Sequence, residues 1–223
     1  DDKKRLLPYF ITVRNGNDEY IDMVRKGNEK VLEARLEDAK FFYFEDTKKP
    51  LEDYVDSLKG IVFQEKLGTL YDQTIRVTKL ASKIGEYLEV GEETRKNIQR
   101  AGYLSKADLV TNMVDEFTEL QGIMGREYAL KSGENEITSL AIYEQYLPRF
   151  SGDDFPTTTA GAILSIADKL DTIAGCFAIG IQPTGSQDPY GLRRQALGII
   201  YIILDKKWNL SLGELIDFAL YIY

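Results

Sequence analysis

The sequence predicts a mostly α-helical protein in which a short α/β segment precedes a larger all-α domain. After residue 66, apolar residues recur at the three-to-four spacing of amphipathic helices, whereas a β-branched and aromatic stretch lies near the N-terminus. A chain of 223 residues, 43% hydrophobic and 29% charged, can form one large domain or two small ones. We predict that residues 1–65 hold the end of an α/β domain with connecting helices, and that 66–223 form the all-α domain.

The predicted α/β segment contains one strand and one helix. Residues 6–13 are rich in β-branched and aromatic side chains and stop at Asn15-Gly16, a pattern that predicts a strand followed by a turn. Asn28 can cap a helix, because its side chain can accept from a free backbone N–H of the first turn. Pro50 ends the loop that follows this helix.

The all-α domain is predicted as a series of helices separated by Gly, Pro and polar turns. The first is amphipathic, begins after Lys66 and stops before Gly91. Asp188-Pro189 marks the clearest start, since Asp is a good cap and proline at the first helical position loses no hydrogen bond. The other helices are predicted at 92–104, 113–130, 134–147, 157–180, 188–206 and 211–223.

The composition narrows the possible chemistry. The chain has no histidine, so mechanisms that use an imidazole base, triad partner or metal ligand from this chain are excluded. Carboxylates, Lys, Tyr, Ser, Thr and the single Cys176 remain. Cys176 lies in an apolar run and is expected to be a buried, inert thiol. One cysteine cannot form an internal disulfide, which fits a reducing compartment such as the cytoplasm.

Charge and the two ends of the chain bear on its partners. With 28 Lys and Arg against 36 Asp and Glu, the net charge is −8, so nucleic-acid binding requires a local basic patch or a second protein. No apolar run is long enough to predict a membrane span. The chain begins at Asp1, and an uncapped apolar pattern continues to Tyr223, which leads us to expect a piece of a longer protein.

Two carboxylates interrupt an otherwise apolar helix. Asp168 and Asp171 are three residues apart and therefore share one helix face. Together they could bind a divalent cation through oxygen, while ion pairing or capping is the simpler interpretation beside Lys169. The glycines Gly122 and Gly125 lie within a helical pattern, where we expect them to allow close packing or a kink.

Two adjacent arginines are the other polar feature of the apolar region. Arg193 and Arg194 point about 100° apart on a helix, so they cannot share one narrow stripe. One could pair with a buried carboxylate while the other faces a partner; both could equally be surface or ion-paired residues. A contact with phosphate or with another subunit is the functional alternative.

Several long motifs resemble the β subunit of bacterial tetrameric glycyl-tRNA synthetase. Upstream segments at 7–11, 27–31 and 63–70 agree with that family too, so that the resemblance covers essentially the whole chain. The motifs that carry it most clearly are 104–114 (LSKADLVTNMV), 116–125 (EFTELQGIMG), 146–150 (YLPRF), 167–172 (ADKLDT), 183–186 (PTGS) and 188–194 (DPYGLRR).

The resemblance implies a division of labour between two subunits. In this family the α subunit carries the catalytic core that activates glycine with ATP and Mg²⁺, and the β subunit supplies tRNA binding. The central helical region of the family is similar to HD-superfamily domains, whose active members bind metal through His and Asp. Asp108 and Asp168 match the aspartate positions, but the histidines are missing. The resemblance therefore implies a multi-helical, HD-like domain without catalytic residues, bound metal or cofactor.

We accordingly expect a non-catalytic segment of an aminoacyl-tRNA synthetase that supports tRNA positioning and subunit assembly. Its expected partners are the α subunit and tRNA(Gly), with no membrane and no DNA. The alternatives are a purely structural scaffold between domains, and a residual metal-dependent phosphohydrolase that uses Asp108 and Asp168. The candidate tRNA or subunit contacts are Arg193, Arg194, Lys206, Lys207, Arg149 and Lys169.

Overall fold

The computed structural model describes residues 7–185 and 187–223. The chain divides into two compact units: one extends to Phe44, and the other runs Glu45–Tyr223. The predicted division between the α/β segment and the all-α domain lies at residue 65 instead, and that domain assignment stays a prediction.

The first unit differs from its prediction in two ways. No strand forms over residues 7–13, and residue 6 lies outside the described residues. A strand needs a hydrogen-bonded neighbour, and none of the described residues pairs with this segment, in which Ile11 and Val13 are more than 90% exposed. The helix α1 spans Ile21–Asp46, so Asn28 is inside it rather than at its cap.

The second unit is built from helices and one small hairpin. The strands β1 (Val62–Gln64) and β2 (Gly68–Thr69) pair antiparallel, with Val62 opposite Thr69. The prediction of no strand beyond residue 66 is wrong for β2, because two residues are too few to show a period. Short 3₁₀ helices occupy Leu51–Gly60, Ala107–Val110 and Thr118–Leu120. The α-helices are α2 (Leu70–Tyr87), α3 (Glu92–Leu104), α4 (Asn112–Glu116), α5 (Ile123–Lys131), α6 (Glu136–Glu144), α7 (Thr159–Ala178), α8 (Leu192–Lys206) and α9 (Leu212–Ile222).

The mostly α-helical fold class is thus confirmed, and hydroxyl or amide caps explain many of the helix starts. Thr69 and Asp72 form a reciprocal capping box at α2. Thr111, Asn135, Thr158 and Ser211 each accept a backbone N–H at the starts of α4, α6, α7 and α9. Within the described ranges, no helix is long and apolar enough to cross a membrane.

Two predicted helices differ from the observed ones. The helix predicted over 113–130 is broken into α4, a 3₁₀ turn and α5: the backbone leaves the helical region at Phe117, with ψ +73°, and Gly122 adopts φ +76° immediately before α5. The helix predicted from Asp188 begins at Leu192, after Gly191 at φ +63°. Asp188 still caps it, since its carboxylate accepts from Leu192 N at 2.8 Å and Arg193 N at 3.0 Å. Pro189 lies in the preceding turn.

Helix α7 is the centre of the second unit. It packs against α2, α3, α6, α8 and α9. Several of its apolar side chains are fully buried together with others from α2, α3 and α6: Leu80, Ile84, Ile98, Leu104, Ile142, Ile163, Leu164 and Ile166. Cys176, near its C-terminal end, is buried as predicted. Polar side chains on this helix therefore project into the protein interior, where they need partners.

Candidate functional site

Asp108 is fully buried in the 3₁₀ turn after α3. Its Oδ2 accepts from the backbone N–H groups of Gly122 at 2.6 Å and Gly125 at 3.0 Å, at the N-terminal end of α5. Burial raises the pKa of this carboxyl group to about 6, although the two amides and Lys106 act in the opposite direction. A Cβ on Gly125 would lie 2.8 Å from Ile142 Cγ2. The glycines therefore permit close packing and also hold a buried carboxylate.

Asp168, on α7, is paired with a lysine that the motif analysis did not select. The Nζ of Lys106 lies 2.8 Å from Asp168 Oδ1, and both side chains are largely buried. The same Nζ lies 4.9 Å from the ring centroid of Tyr146. The charges of Asp108 and Asp168 add to burial in raising the pKa of Tyr146 well above its usual value. The structure thus gathers Lys106, Asp108, Tyr146 and Asp168 into one interior polar cluster.

Lys169 is also an interior residue. Its side chain is 5% exposed, and its ammonium donates to Ser165 Oγ at 2.7 Å, Leu147 O at 2.9 Å and Gln145 O at 3.2 Å. Burial lowers the pKa of Lys169 to about 8. Because all three N–H groups are used inside the protein, Lys169 ties α7 to the chain that follows α6 instead of facing a surface.

Asp168 and Asp171 do not share one cation. Asp171 forms a bidentate ion pair with Arg76, with Nε–Oδ1 at 2.8 Å and Nη2–Oδ2 at 3.3 Å. Asp168 pairs with Lys106. The ion-pair interpretation of these two aspartates is therefore confirmed. In the part of the chain that the structure describes, no three Asp, Glu, Cys or His side chains are placed to hold one metal ion.

The other basic candidates lie nearer the surface. Arg149 pairs with Asp153 through Nε–Oδ2 at 2.9 Å and Nη2–Oδ1 at 3.1 Å. Arg193 donates to the carbonyl oxygen of Thr184 at 2.7 Å, and Arg194 is exposed. Of the alternatives for these two arginines, the structure shows surface positions: neither pairs with a buried carboxylate of the described residues, and the nearby Asp188 caps α8.

The cations of α8 lie at opposite ends of the helix. Arg193 and Arg194 are in its first turn, whereas Lys206 and Lys207 close it. Lys207 is exposed, and Lys206 is half-buried with Nζ 3.4 Å from Asp205 Oδ2. The two pairs are 13 positions apart along this 15-residue helix, which corresponds to about 20 Å. The structure therefore forms two cationic sites joined by one helix, instead of a single patch.

A cavity of about 250 Å³ lies between the polar cluster and the start of α8. Tyr146, Asp168 and Lys169 line it from the interior, and Tyr190 and Arg194 line it from the side of α8. The structure thus connects the buried carboxylate of Asp168 with the exposed arginine Arg194. We call this space the Arg194 pocket.

Sequence reasoning missed Lys106, Tyr146 and Glu144. Glu144 is buried and accepts from Thr157 and Thr158 at the start of α7. Lys106 stands two residues before Asp108 in the motif Ser105-Lys106-Ala107-Asp108. Its position within this motif, close to a candidate aspartate, is a sequence signal by which Lys106 could have been selected. Its partner Asp168 lies on another helix, which no local pattern indicates.

The second unit is thus a helical domain in which the buried carboxylates of Asp168 and Asp171 are ion-paired with Lys106 and Arg76. The family model described as glycyl-tRNA synthetase beta subunit matches residues 1–223, and the chain belongs to that family.

Curated relatives carry the same description. The chain is 62% identical over 216 residues to the glycine–tRNA ligase beta subunit of Clostridioides difficile (strain 630), a match that covers 97% of this chain and 31% of that protein. It is 55% identical over 214 residues to the corresponding subunit of Bacillus subtilis (strain 168), covering 96% of this chain and 32% of that protein. The chain thus spans about a third of the length of these relatives.

Proposed function

We propose that this chain is a non-catalytic segment of a glycyl-tRNA synthetase β subunit, and that it helps to position tRNA(Gly) for glycine attachment by the α subunit. The family to which the chain belongs supports its assignment to this subunit. The observation that carries the role is the placement of exposed cations at both ends of α8, on a domain in which Asp168 and Asp171 are already ion-paired in the interior.

The geometry of the polar cluster supports a non-catalytic role. A divalent cation at Asp168 would have to displace the ammonium of Lys106, which lies 2.8 Å from Oδ1. Asp108 directs its Oδ2 at two backbone amides, and burial favours its neutral form. Metal centres of the mixed nitrogen and oxygen type also need imidazole ligands, which this chain lacks.

The cations of α8 support contact with RNA phosphates. The chain as a whole has a net charge of −8 and repels a polyanion at long range, so attraction must come from local positive charge. Arg194 is exposed and forms no ion pair with an acidic side chain of residues 7–185 and 187–223, and Lys207 is exposed at the other end. Each cation that neutralises a phosphate releases counterions and adds affinity.

The test is made on the complete enzyme, with full-length β subunit and α subunit. Lys206→Glu together with Lys207→Glu should raise the KM for tRNA(Gly) in aminoacylation and leave kcat nearly unchanged. The slope of log affinity against log salt should fall by roughly 1 for each phosphate that the variant no longer neutralises.

Lys79→Glu together with Lys96→Glu is the matched control, because both are exposed lysines, on α2 and α3, and the pair undergoes the same total change of charge. If the control and the α8 variant had equal effects, the change in KM would be explained by the overall charge of the protein and not by a contact at α8. An unchanged KM and salt slope in the α8 variant would contradict tRNA contact by this helix end.

A scaffold role between domains or subunits is the second candidate, and a specific observation favours it. Helix α8 carries exposed apolar side chains at helical spacing, Leu197, Tyr201 and Leu204, which are 46–66% exposed. Such stripes commonly mark contact surfaces. If they hold another part of the synthetase, Leu204→Asp should weaken assembly of α and β subunits in analytical ultracentrifugation. An unchanged sedimentation profile would leave this surface without a role in assembly.

A further inference from the structure

The hydroxyl group of Tyr223, the residue that follows α9, is bonded to the central helix α7. It lies 3.0 Å from the carbonyl oxygen of Asp171 and 3.0 Å from Oδ1 of the same residue, so one proton serves two acceptors. The carboxylate of Asp171 is almost completely buried, and its Oδ1 also accepts from Arg76 Nε at 2.8 Å. The phenol and the guanidinium group therefore meet at one carboxylate oxygen in the interior.

The surroundings of this hydroxyl group are shaped to receive it. Arg76, on α2, places its Cζ 4.9 Å from the ring centroid of Tyr223. Gly175 lies one turn after Asp171 on α7, and a Cβ there would collide with the Tyr223 hydroxyl and lie 3.0 Å from Cζ of the ring. Glycine inside a helix costs about 1 kcal/mol relative to alanine. The space that Tyr223 occupies gives a physical reason for glycine at this position.

The rest of α9 is lightly held. Of its eleven residues, all of which the structure describes, Leu215 and Ala219 are buried. On the outer face, Leu212, Ile216 and Leu220 follow one another at intervals of four residues and are 46–57% exposed. An isolated helix of this length is marginal in water, so α9 depends on its contacts with the domain. The bonds of Tyr223 are therefore a large part of what keeps α9 in place.

We propose that α9 is a strap that opens and closes over the ion pair of Arg76 and Asp171, and that the Tyr223 hydroxyl is its latch. Segments with few buried contacts open locally, at a lower free energy than global unfolding. Two buried side chains and one latch place α9 among such segments. Opening uncovers Asp171 while the remaining helices stay folded. This inference goes beyond contact with tRNA and does not depend on it.

Tyr223→Phe is the decisive variant, because it removes the hydroxyl group and keeps the ring. Hydrogen exchange with mass spectrometry, on the complete enzyme of full-length β subunit and α subunit, measures the opening of each helix. Loss of a hydrogen bond to a charged group should speed exchange of the α9 amides roughly 10- to 100-fold. Exchange in α3 and α7 should stay unchanged. Tyr221→Phe is the matched control, since Tyr221 is 92% exposed on the same helix.

Gly175→Ala tests the latch from the side of α7. The new Cβ must displace the Tyr223 ring, so the α9 amides should again exchange faster. The same Cβ would lie 2.9 Å from Leu67 Cδ1, and the variant is therefore compared with Tyr223→Phe, which leaves Leu67 in place. Gly27→Ala is the control, because a Cβ on this residue of α1 meets nothing within 4 Å.

Faster exchange confined to α9 in both variants supports the strap. If α9 and α7 exchange faster together in Tyr223→Phe, α9 opens only with the rest of the domain and the strap is overturned. Unchanged exchange of α9 in Tyr223→Phe would show that the hydroxyl group is no latch and would overturn the proposal as well. None of these results depends on the aminoacylation kinetics of the variant with Lys206→Glu and Lys207→Glu, so failure of the strap and failure of the proposed function are distinguishable.

Discussion

The Nζ of Lys106 lies 2.8 Å from Oδ1 of Asp168, and the two side chains are only 7% and 16% exposed. This ion pair joins the turn after α3 to the central helix α7. A buried pair is costly to break from one side, because the remaining charge loses its partner in a medium of low polarity. Lys106 therefore has a structural role: its ammonium group occupies the position in which another cation could otherwise bind Asp168.

Replacing Lys106 should destabilise the fold. Lys106→Met keeps much of the aliphatic length but leaves the Asp168 carboxylate unpaired, and we expect a loss of about 3 kcal/mol in the free energy of unfolding. Urea denaturation followed by circular dichroism measures the loss. Lys96→Met, at an exposed position, should change the same quantity by less than about 0.5 kcal/mol. Equal effects at the two positions would contradict a stabilising pair.

Gly125→Ala should also be destabilising. The new Cβ would lie 2.8 Å from Ile142 Cγ2 and 3.0 Å from Asp108 Oδ2, so α5 must shift away from the carboxylate that its amides hold. Overpacking of this kind costs about 1–3 kcal/mol. Thermal unfolding of the variant provides the measurement.

Gly27→Ala is the control for that substitution. Gly27 lies in α1, and a Cβ there meets nothing within 4 Å. Alanine at an unstrained helical position is favoured over glycine by up to about 1 kcal/mol. The melting temperature should therefore stay the same or rise, and a fall as large as that of Gly125→Ala would show that the Asp108 site is not specially sensitive.

Asp108 should make stability depend on pH. Its pKa is raised by burial to about 6 in the folded chain, from 3.8 in the unfolded one, so the folded state binds the extra proton between these values. The stabilising contribution is therefore fully present below about pH 4 and is lost as pH rises through 6. The difference amounts to about 2–3 kcal/mol.

The variant Asp108→Asn isolates this contribution. An amide cannot ionise, yet its oxygen can still accept from Gly122 and Gly125. The difference in unfolding free energy between wild type and variant should shift in favour of the variant as pH rises from 4 to 7. A difference that stays constant over this range would contradict a raised pKa at Asp108.

Added metal should leave the protein unchanged. Asp168 is paired with Lys106, Asp171 with Arg76, and Asp108 with two backbone amides. A ligand that binds only the folded state raises stability in proportion to the logarithm of its concentration above Kd, so Mn²⁺ at about 1 mM should not shift the melting temperature. Hydrolysis of phosphomonoesters and cyclic nucleotides should also be undetectable. Metal-dependent turnover with a stoichiometric ion would revive the phosphohydrolase alternative.

Local signals predicted those elements that depend on neighbouring residues. The helix predicted over 92–104 coincides with α3, and α7 lies within its predicted range of 157–180. Prediction failed where backbone conformation or a distant partner decides. Phe117 and Gly122 both leave the helical region and interrupt the helix predicted over 113–130, and residues 7–13 find no strand to pair with among the described residues.

The sequence by itself determined the family, the helical fold class and the lack of imidazole chemistry, because these follow from residue identity and short-range spacing. Only the tertiary structure decided which charges meet. Asp171 pairs with Arg76 across 95 positions of the chain, Asp168 pairs with Lys106, and Lys169 is buried instead of exposed. The reason is physical: α7 is buried on several sides, so its polar residues face the interior, and each buried polar group takes its partners from the elements that pack beside it.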